Sequence, residues 1–135
     1  MTNIVVGFVD TAEGHRALEL AIKEAQLRAA RLFVIHSMRG GNHEKPEQII
    51  RYRDALESVE ARLTDLGIEH EVHEYVLYHK PARDLLDAAD QFEADLIVIG
   101  YQRRSATGKA LLGSHAHDIL MGADCPVLAI VAPNT

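Results

Sequence analysis

The stretch ADLIVIG, residues 94–100, decides the fold class of this chain. Its unbroken run of aliphatic residues is typical of a strand that is buried on both faces of a parallel sheet. Four further strands are predicted from β-branched or alternating patterns: NIVVGFVD at 3–10, RLFVIHS at 31–37, IEHEVHEYVL at 68–77 and PVLAIV at 126–131. The stretch at 68–77 contains Glu and His, so we expect it at an edge of the sheet with one wetted face.

Helical patterns separate these strands. Pro46 and Pro81 are expected in the first turns of the second and third helices, and Gly67 is expected to end the second. The predicted buried stripes are Leu18, Ala21, Ile22, Ala25 and Ala29; Ile49, Leu56, Val59, Leu63 and Leu66; Leu85, Ala88, Ala89 and Phe92; and Ala116, Ile119, Leu120 and Ala123. Strands alternating with helices predict an α/β fold, a doubly wound five-stranded parallel sheet with helices on both faces.

Composition sets limits on the class of protein. The 135 residues fit one domain spanning 1–135, and the formal net charge of −6 argues against nucleic acid as a partner. The sequence shows neither a long apolar span nor a signal-peptide pattern, so we expect a soluble, cytoplasmic protein with no membrane partner. Cys125 is the single cysteine and cannot form an internal disulfide, which fits a reducing compartment.

The segment GYQRRSATGKALLGS, residues 100–114, has the elements of a phosphate site. Gly100 ends a strand, Gly113 and Ser114 begin a helix with Ser114 as the expected N-cap, and free N–H groups at a helix start favour an anion. Arg103, Arg104 and Lys109 add positive charge between them. Ligands of open α/β sheets bind where the strand order reverses, so Asp10, at the end of the first strand, would face the same crevice.

The alternative for this segment is purely structural. Gly100 would then only mark a turn, Ser114 would only cap a helix, and the basic side chains would be solvated. A Walker phosphate loop is excluded, because Arg103 stands where that motif needs glycine and Ala110 where it needs Ser or Thr.

The sequence does not favour a metal site or a catalytic site. His70 and His73 have opposite parity on a strand and should leave opposite faces, and His36 in an apolar strand indicates a hydrogen-bonded core histidine. Asp10 could hold Mg²⁺ against phosphates, but we favour a helix-capping carboxylate or an acceptor for a ribose hydroxyl. No nucleophile elbow and no clear acid–base pair are visible in the sequence.

The chain resembles the universal stress protein family over nearly its whole length. The resemblance is carried by IVVGFVD near the start, PARDLLDAADQFEADLIVIG in the middle and LLGSHAHDILMGADCPVLAIV near the end. It implies the strand order 3-2-1-4-5 and a homodimer formed through the last strand. ATP-binding members have the signature Gly, two residues, Gly, nine residues, Gly, then Ser or Thr. Gly100, Gly113 and Ser114 match this signature, while Arg103 replaces the second glycine.

The resemblance also implies roles for single residues. Asp10 matches an acidic residue beside the adenosine part of the ligand, and Ser37 falls where the family lines the adenine pocket, often with valine. His115 can offer a backbone N–H to phosphate, and Ile99 precedes Gly100 in the same site. Arg103 either crowds the phosphates through its Cβ or binds them through its guanidinium; both readings stay open.

Three functional hypotheses follow from these observations. The first is a stress-response regulator that binds an adenine nucleotide, ATP or AMP, with or without Mg²⁺, and has at most weak ATP hydrolysis. The second is an interaction dimer of the same fold that Arg103 keeps from binding nucleotide. The third is a nucleotide-transforming enzyme, which sustained magnesium-dependent turnover would identify. An Arg103→Gly variant separates the first two, because binding should strengthen if Arg103 is an obstacle and weaken if it is a phosphate ligand.

Overall fold

A computed structural model describes residues 1–39, 45–77, 80–102 and 113–132. The strands are β1 (Asn3–Gly7), β2 (Arg31–Arg39), β3 (His70–Leu77), β4 (Leu96–Gln102) and β5 (Val127–Ala132). The helices are α1 (Ala12–Arg28), α2 (Pro46–Asp65), α3 (Pro81–Gln91) and α4 (Ser114–Gly122). The strands form one parallel sheet in the order β3-β2-β1-β4-β5, which confirms both the α/β fold and the strand order.

The central strands divide their side chains between two apolar layers. In β1, Ile4 and Val6 pack on the α1 and α2 side of the sheet, whereas Val5 packs on the α3 and α4 side. The same alternation in β4 sends Val98 to the first layer and Ile99 to the second. Because successive strand residues face opposite ways, a continuous apolar sequence is needed to fill both layers.

Helix boundaries follow from local chemistry. Pro46 and Pro81 lie in the first turns of α2 and α3, as predicted, because a proline at this position lacks only an N–H that the helix does not use. Thr11 caps α1 by accepting a hydrogen bond from the Gly14 N–H through its hydroxyl. Gly67 adopts a φ of 70°, which confirms its predicted role after α2.

Three predicted stripe positions are exposed rather than buried. Ala29 is exposed because α1 ends at Arg28, and Ala29 itself forms the cap with a left-handed φ of 51°. Leu66 follows the end of α2 and is 43% exposed. Leu120 is 44% exposed, because α4 is held to the core through Ala116 and Ile119. Within the described ranges, no helix combines the length and apolarity needed to cross a membrane.

The two histidines of β3 lie on opposite faces of the sheet, as strand parity predicts. His73 stacks on Phe92 beyond the end of α3, with ring centroids 4.9 Å apart. On the other face, one ring nitrogen of His70 lies 2.7 Å from the Ile68 carbonyl oxygen and the other 2.8 Å from a Glu60 carboxylate oxygen on α2. Because both ring nitrogens meet acceptors, the charged imidazolium can donate to each of them.

His70 should make the stability of the protein depend on pH. Burial alone lowers the pKa of His70, but the hydrogen bonds to Ile68 and Glu60 outweigh burial and raise it above the usual 6.5. Because the pKa of His70 is higher in the folded state than in the unfolded state, protonated His70 stabilises the folded protein. This stabilisation is fully present below pH 6.5 and is lost as the pH rises through the folded-state pKa.

We therefore expect a His70→Gln variant to flatten the pH profile of the free energy of unfolding. Urea unfolding of both proteins between about pH 5.5 and about pH 8.5 covers the transition. The stability difference between wild type and variant should be largest at the acid end and shrink toward the alkaline end. A difference that stays constant with pH would show that His70 does not gain protons on folding.

Candidate functional site

The carboxyl ends of β1 and β4 open into a cavity of about 450 Å³. These two strands are neighbours, and the strand order reverses between them, which is where open α/β sheets bind ligands. Side chains or backbone from β2, α1, α3 and α4 complete the walls. The cavity brings together six of the residues predicted from the sequence, namely Ser37, Ile99, Gly100, Gly113, Ser114 and His115.

At Gly100, the backbone of β4 lies in close contact with the start of α1. A Cβ built on Gly100 would lie 2.0 Å from the backbone oxygen of Glu13 and 2.6 Å from its carbonyl carbon. Only a residue without a side chain permits this approach. The glycine thus fixes the distance between two walls of the cavity, because Glu13 and Gly14 line it on the α1 side.

Helix α4 presents its N-terminus to the cavity. The N-cap is Gly113 with φ −65° and ψ 158°, not Ser114 as predicted, because Ser114 already belongs to the first turn. The first helical hydrogen bond runs from the His117 N–H to the Gly113 carbonyl, and within the described residues no side chain caps this end. The N–H groups of Ser114, His115 and Ala116 therefore have no partner inside the helix, and all three residues line the cavity.

His115 contributes little fixed positive charge to this end of the cavity. Part of the residue reaches solvent, but the protein packed around its ring lowers the pKa of His115, and the opposing effect of the Asp118 carboxylate is smaller. The imidazole is therefore neutral near pH 7, since its ordinary pKa is already 6.5. Its backbone N–H, rather than its ring, is the group suited to an anion in the free protein.

The described lining residues contain one carboxylate, Glu13, and neither Lys nor Arg. The positive potential that these residues contribute to the cavity therefore comes from the N-terminal end of the α4 dipole and its N–H groups. The basic residues predicted for this site, Arg103, Arg104 and Lys109, lie outside the described residues. They belong to the segment that connects Gln102 to Gly113, both of which line the cavity.

At the opposite end of the cavity, Ser37 is paired with an acidic residue that the sequence reasoning missed. The Ser37 hydroxyl donates a hydrogen bond to Oδ2 of Asp84, at 3.3 Å, and Asp84 is only 7% exposed. Asp84 lies in the first turn of α3. The sequence did contain a sign of this pair: Asp84 is four residues before the buried Ala88, which places its carboxylate on the apolar face of the helix.

Asp10 lies beside this cavity rather than at a strand end. Strand β1 ends three residues earlier, at Gly7, so Phe8 and Val9 supply the lining from this loop. The Asp10 carboxylate lies 2.7 Å from Nε2 of His15 on α1, and the His15 ring packs edge-on against Phe8. His15 was not singled out from the sequence, since its spacing of five from Asp10 fits no regular element.

Metal-binding groupings do not occur among the described residues: no three His, Cys, Asp or Glu side chains there are placed to hold one ion. His36 is buried in β2 as predicted for a core histidine, and its ring packs against Tyr52 of α2 with centroids 5.0 Å apart. The arrangement as a whole offers backbone donors to an anion at one end and a polar pair within apolar walls at the other. Such a division suits a ligand with an anionic part and a flat apolar part.

Comparison with known proteins identifies the family. The sequence profile of the universal stress protein family matches residues 1–130. A universal stress protein of Mycolicibacterium smegmatis is 35% identical over 127 residues, covering 94% of this chain and 95% of that protein. A structure of a universal stress protein from Archaeoglobus fulgidus is 38% identical with a TM-score of 0.79, covering 96% of this chain and 98% of that one. A structure of the universal stress protein from Archaeoglobus fulgidus in complex with dAMP is 33% identical with a TM-score of 0.71, covering 96% of this chain and 98% of that one. The chain therefore belongs to the universal stress protein family.

Proposed function

We propose that this protein binds an adenine nucleotide, AMP or ATP, in the cavity between β1 and β4, and that binding serves regulation in the stress response. The α4 N-terminus carries the proposal, because three N–H groups that have no partner inside the helix belong to residues lining a cavity of about 450 Å³ at the point where the strand order reverses. The relative solved with dAMP, at 33% identity, supports the choice of nucleotide.

The phosphates are assigned to the α4 end of the cavity and the base to the β2 end. The N–H groups of Ser114, His115 and Ala116, at the helix start that Gly113 caps, would hold the phosphates, with Arg103, Arg104 and Lys109 adding charge, and Mg²⁺ accompanying ATP. Ser37 would lie against the base, with Ile99 and Gly100 below the nucleoside and Asp10 near the ribose. The chain carries its own positive groups for this purpose despite a net charge of −6.

The first test is isothermal titration of nucleotide-stripped protein with AMP, and with ATP plus Mg²⁺. Saturable binding at one site per chain is the expected result. A Ser114→Pro variant should weaken AMP binding about tenfold, because proline removes one charge-assisted N–H donor. Proline fits there, since it is favoured at the first helical position and Gly113 already has the extended φ and ψ that precede proline.

A Ser114→Ala variant is the matched control, because alanine keeps the backbone N–H and removes only the hydroxyl. If the backbone holds the phosphate, Ser114→Ala should bind AMP several times more tightly than Ser114→Pro. Equal losses in both variants would assign the contact to the hydroxyl. Absence of binding in folded, empty wild-type protein would favour the interaction dimer instead.

We also propose that the protein is a homodimer joined through β5. This strand lies at the edge of the sheet, and its residues 127–131 are all apolar yet only partly buried or exposed. An unpaired edge of this kind is suited to pairing with another strand. Light scattering on the titration sample should therefore give the mass of two chains.

A further inference from the structure

Ser37 lines the cavity from β2, whereas the α4 N-terminus lines it after β4. Ser37 lies within β2, in the part that continues past the end of β1 at Gly7, and β2 is two strand positions away from β4. Two strand spacings are roughly 10 Å, which is about the span between the phosphate and the base of a mononucleotide. Pro81 and Leu85 of α3 line the cavity beside Ser37, so the surroundings of its hydroxyl are largely apolar.

Asp84 fixes the direction of the Ser37 hydroxyl. The hydroxyl has one hydrogen, and that hydrogen is directed to Oδ2 of Asp84 at 3.3 Å. Asp84 lies in the first turn of α3, where the helix dipole favours a negative charge. The pKa of the Tyr75 hydroxyl is raised, mainly by burial and to a smaller extent by the charge of Asp84. With its hydrogen bound to a carboxylate, the Ser37 oxygen can present only lone pairs to the cavity.

We propose that the Ser37–Asp84 pair selects a nucleobase bearing an exocyclic amino group, so that the site prefers adenine to hypoxanthine. This inference rests on the proposed nucleotide function and specifies its ligand. An amino group donates to the Ser37 oxygen, whereas the carbonyl oxygen of hypoxanthine would oppose one acceptor with another. In apolar surroundings that mismatch leaves both groups without a partner, which costs more than the hydrogen bond itself gains. Asp84 acts through Ser37 and is a positioning residue.

The test compares the affinities of AMP, IMP and purine riboside 5′-monophosphate, which carries only hydrogen in place of the amino group. Wild-type protein should bind AMP about tenfold more tightly than IMP, with the unsubstituted purine nucleotide between them. An Asp84→Asn variant should bring the AMP-to-IMP ratio close to one, because the amide can donate to Ser37 and release the hydroxyl hydrogen toward the cavity. Asp87→Asn is the matched control: it removes the same charge from an exposed site on α3 and should leave the ratio unchanged.

A second variant covers the case in which Asp84→Asn does not fold. Ser37→Ala removes the acceptor and should make AMP bind no better than the unsubstituted purine nucleotide. Equal affinity of the wild type for AMP and IMP, or an unchanged ratio in Ser37→Ala, would overturn the inference while leaving nucleotide binding intact. If none of the three nucleotides binds, the proposed function fails, and the inference fails with it.

Discussion

A Gly100→Ala protein is expected to lose about 3 kcal/mol of folding free energy, which is the upper end of the usual cost of overpacking. The added Cβ would lie 2.0 Å from the Glu13 backbone oxygen, a separation that real Cβ atoms essentially never show. No side-chain rotation can relieve this contact, because the neighbouring atoms belong to the backbone of α1. Either α1 or the end of β4 must therefore move, and AMP binding should be lost with the shape of the cavity.

Gly7→Ala is the matched control for this substitution. Gly7 ends the neighbouring strand and lines the same cavity, but the nearest neighbours of a Cβ there are side-chain atoms, with Cδ2 of Leu85 at 3.1 Å and Cγ2 of Ile99 at 4.0 Å. A side-chain terminus can shift by a few tenths of an ångström, so we expect a loss below about 1 kcal/mol. Urea unfolding measures both variants, and equal stability of Gly100→Ala and wild type would contradict the close approach of α1 to β4.

Most of the fold could be predicted because its signals are local. The apolar runs of β1 and β4 and the prolines at Pro46 and Pro81 each act on their own segment, so they need no knowledge of the rest of the chain. Most of the errors fall at the ends of helices and strands. Leu66 and Ala29 continue the apolar spacing of their helices, but spacing does not reveal where the backbone leaves the helix.

The candidate site was predictable in part for the same reason. Gly100 and Gly113 stand at the ends of elements, and the topology of a parallel sheet brings such ends together. The pairing of Ser37 with Asp84 joins residues 47 positions apart, and the approach of Glu13 to Gly100 is likewise nonlocal. Contacts of this kind depend on how helices pack across the sheet, which the period of a sequence does not specify.

An Ile119→Ala protein is expected to lose about 2–5 kcal/mol of folding free energy and to bind AMP more weakly. Ile119 is fully buried and, with Ala116, anchors α4 to the layer beneath the sheet. Helix α4 has 9 residues, and a helix this short depends on packing rather than on its own propensity. Loosening its anchor therefore frees the N-terminus whose N–H groups are assigned to the phosphates.

Leu120→Ala provides the comparison, since it removes a similar volume from the next residue of the same helix. Leu120 is 44% exposed, so its loss should change stability by about 0.5 kcal/mol or less and leave AMP affinity unchanged. Thermal or urea unfolding followed by titration with AMP measures both effects on the same samples. Weakened binding in Ile119→Ala at a temperature where the protein stays fully folded would tie phosphate affinity to the position of α4, whereas unchanged binding would show that the remaining contacts hold the helix in place.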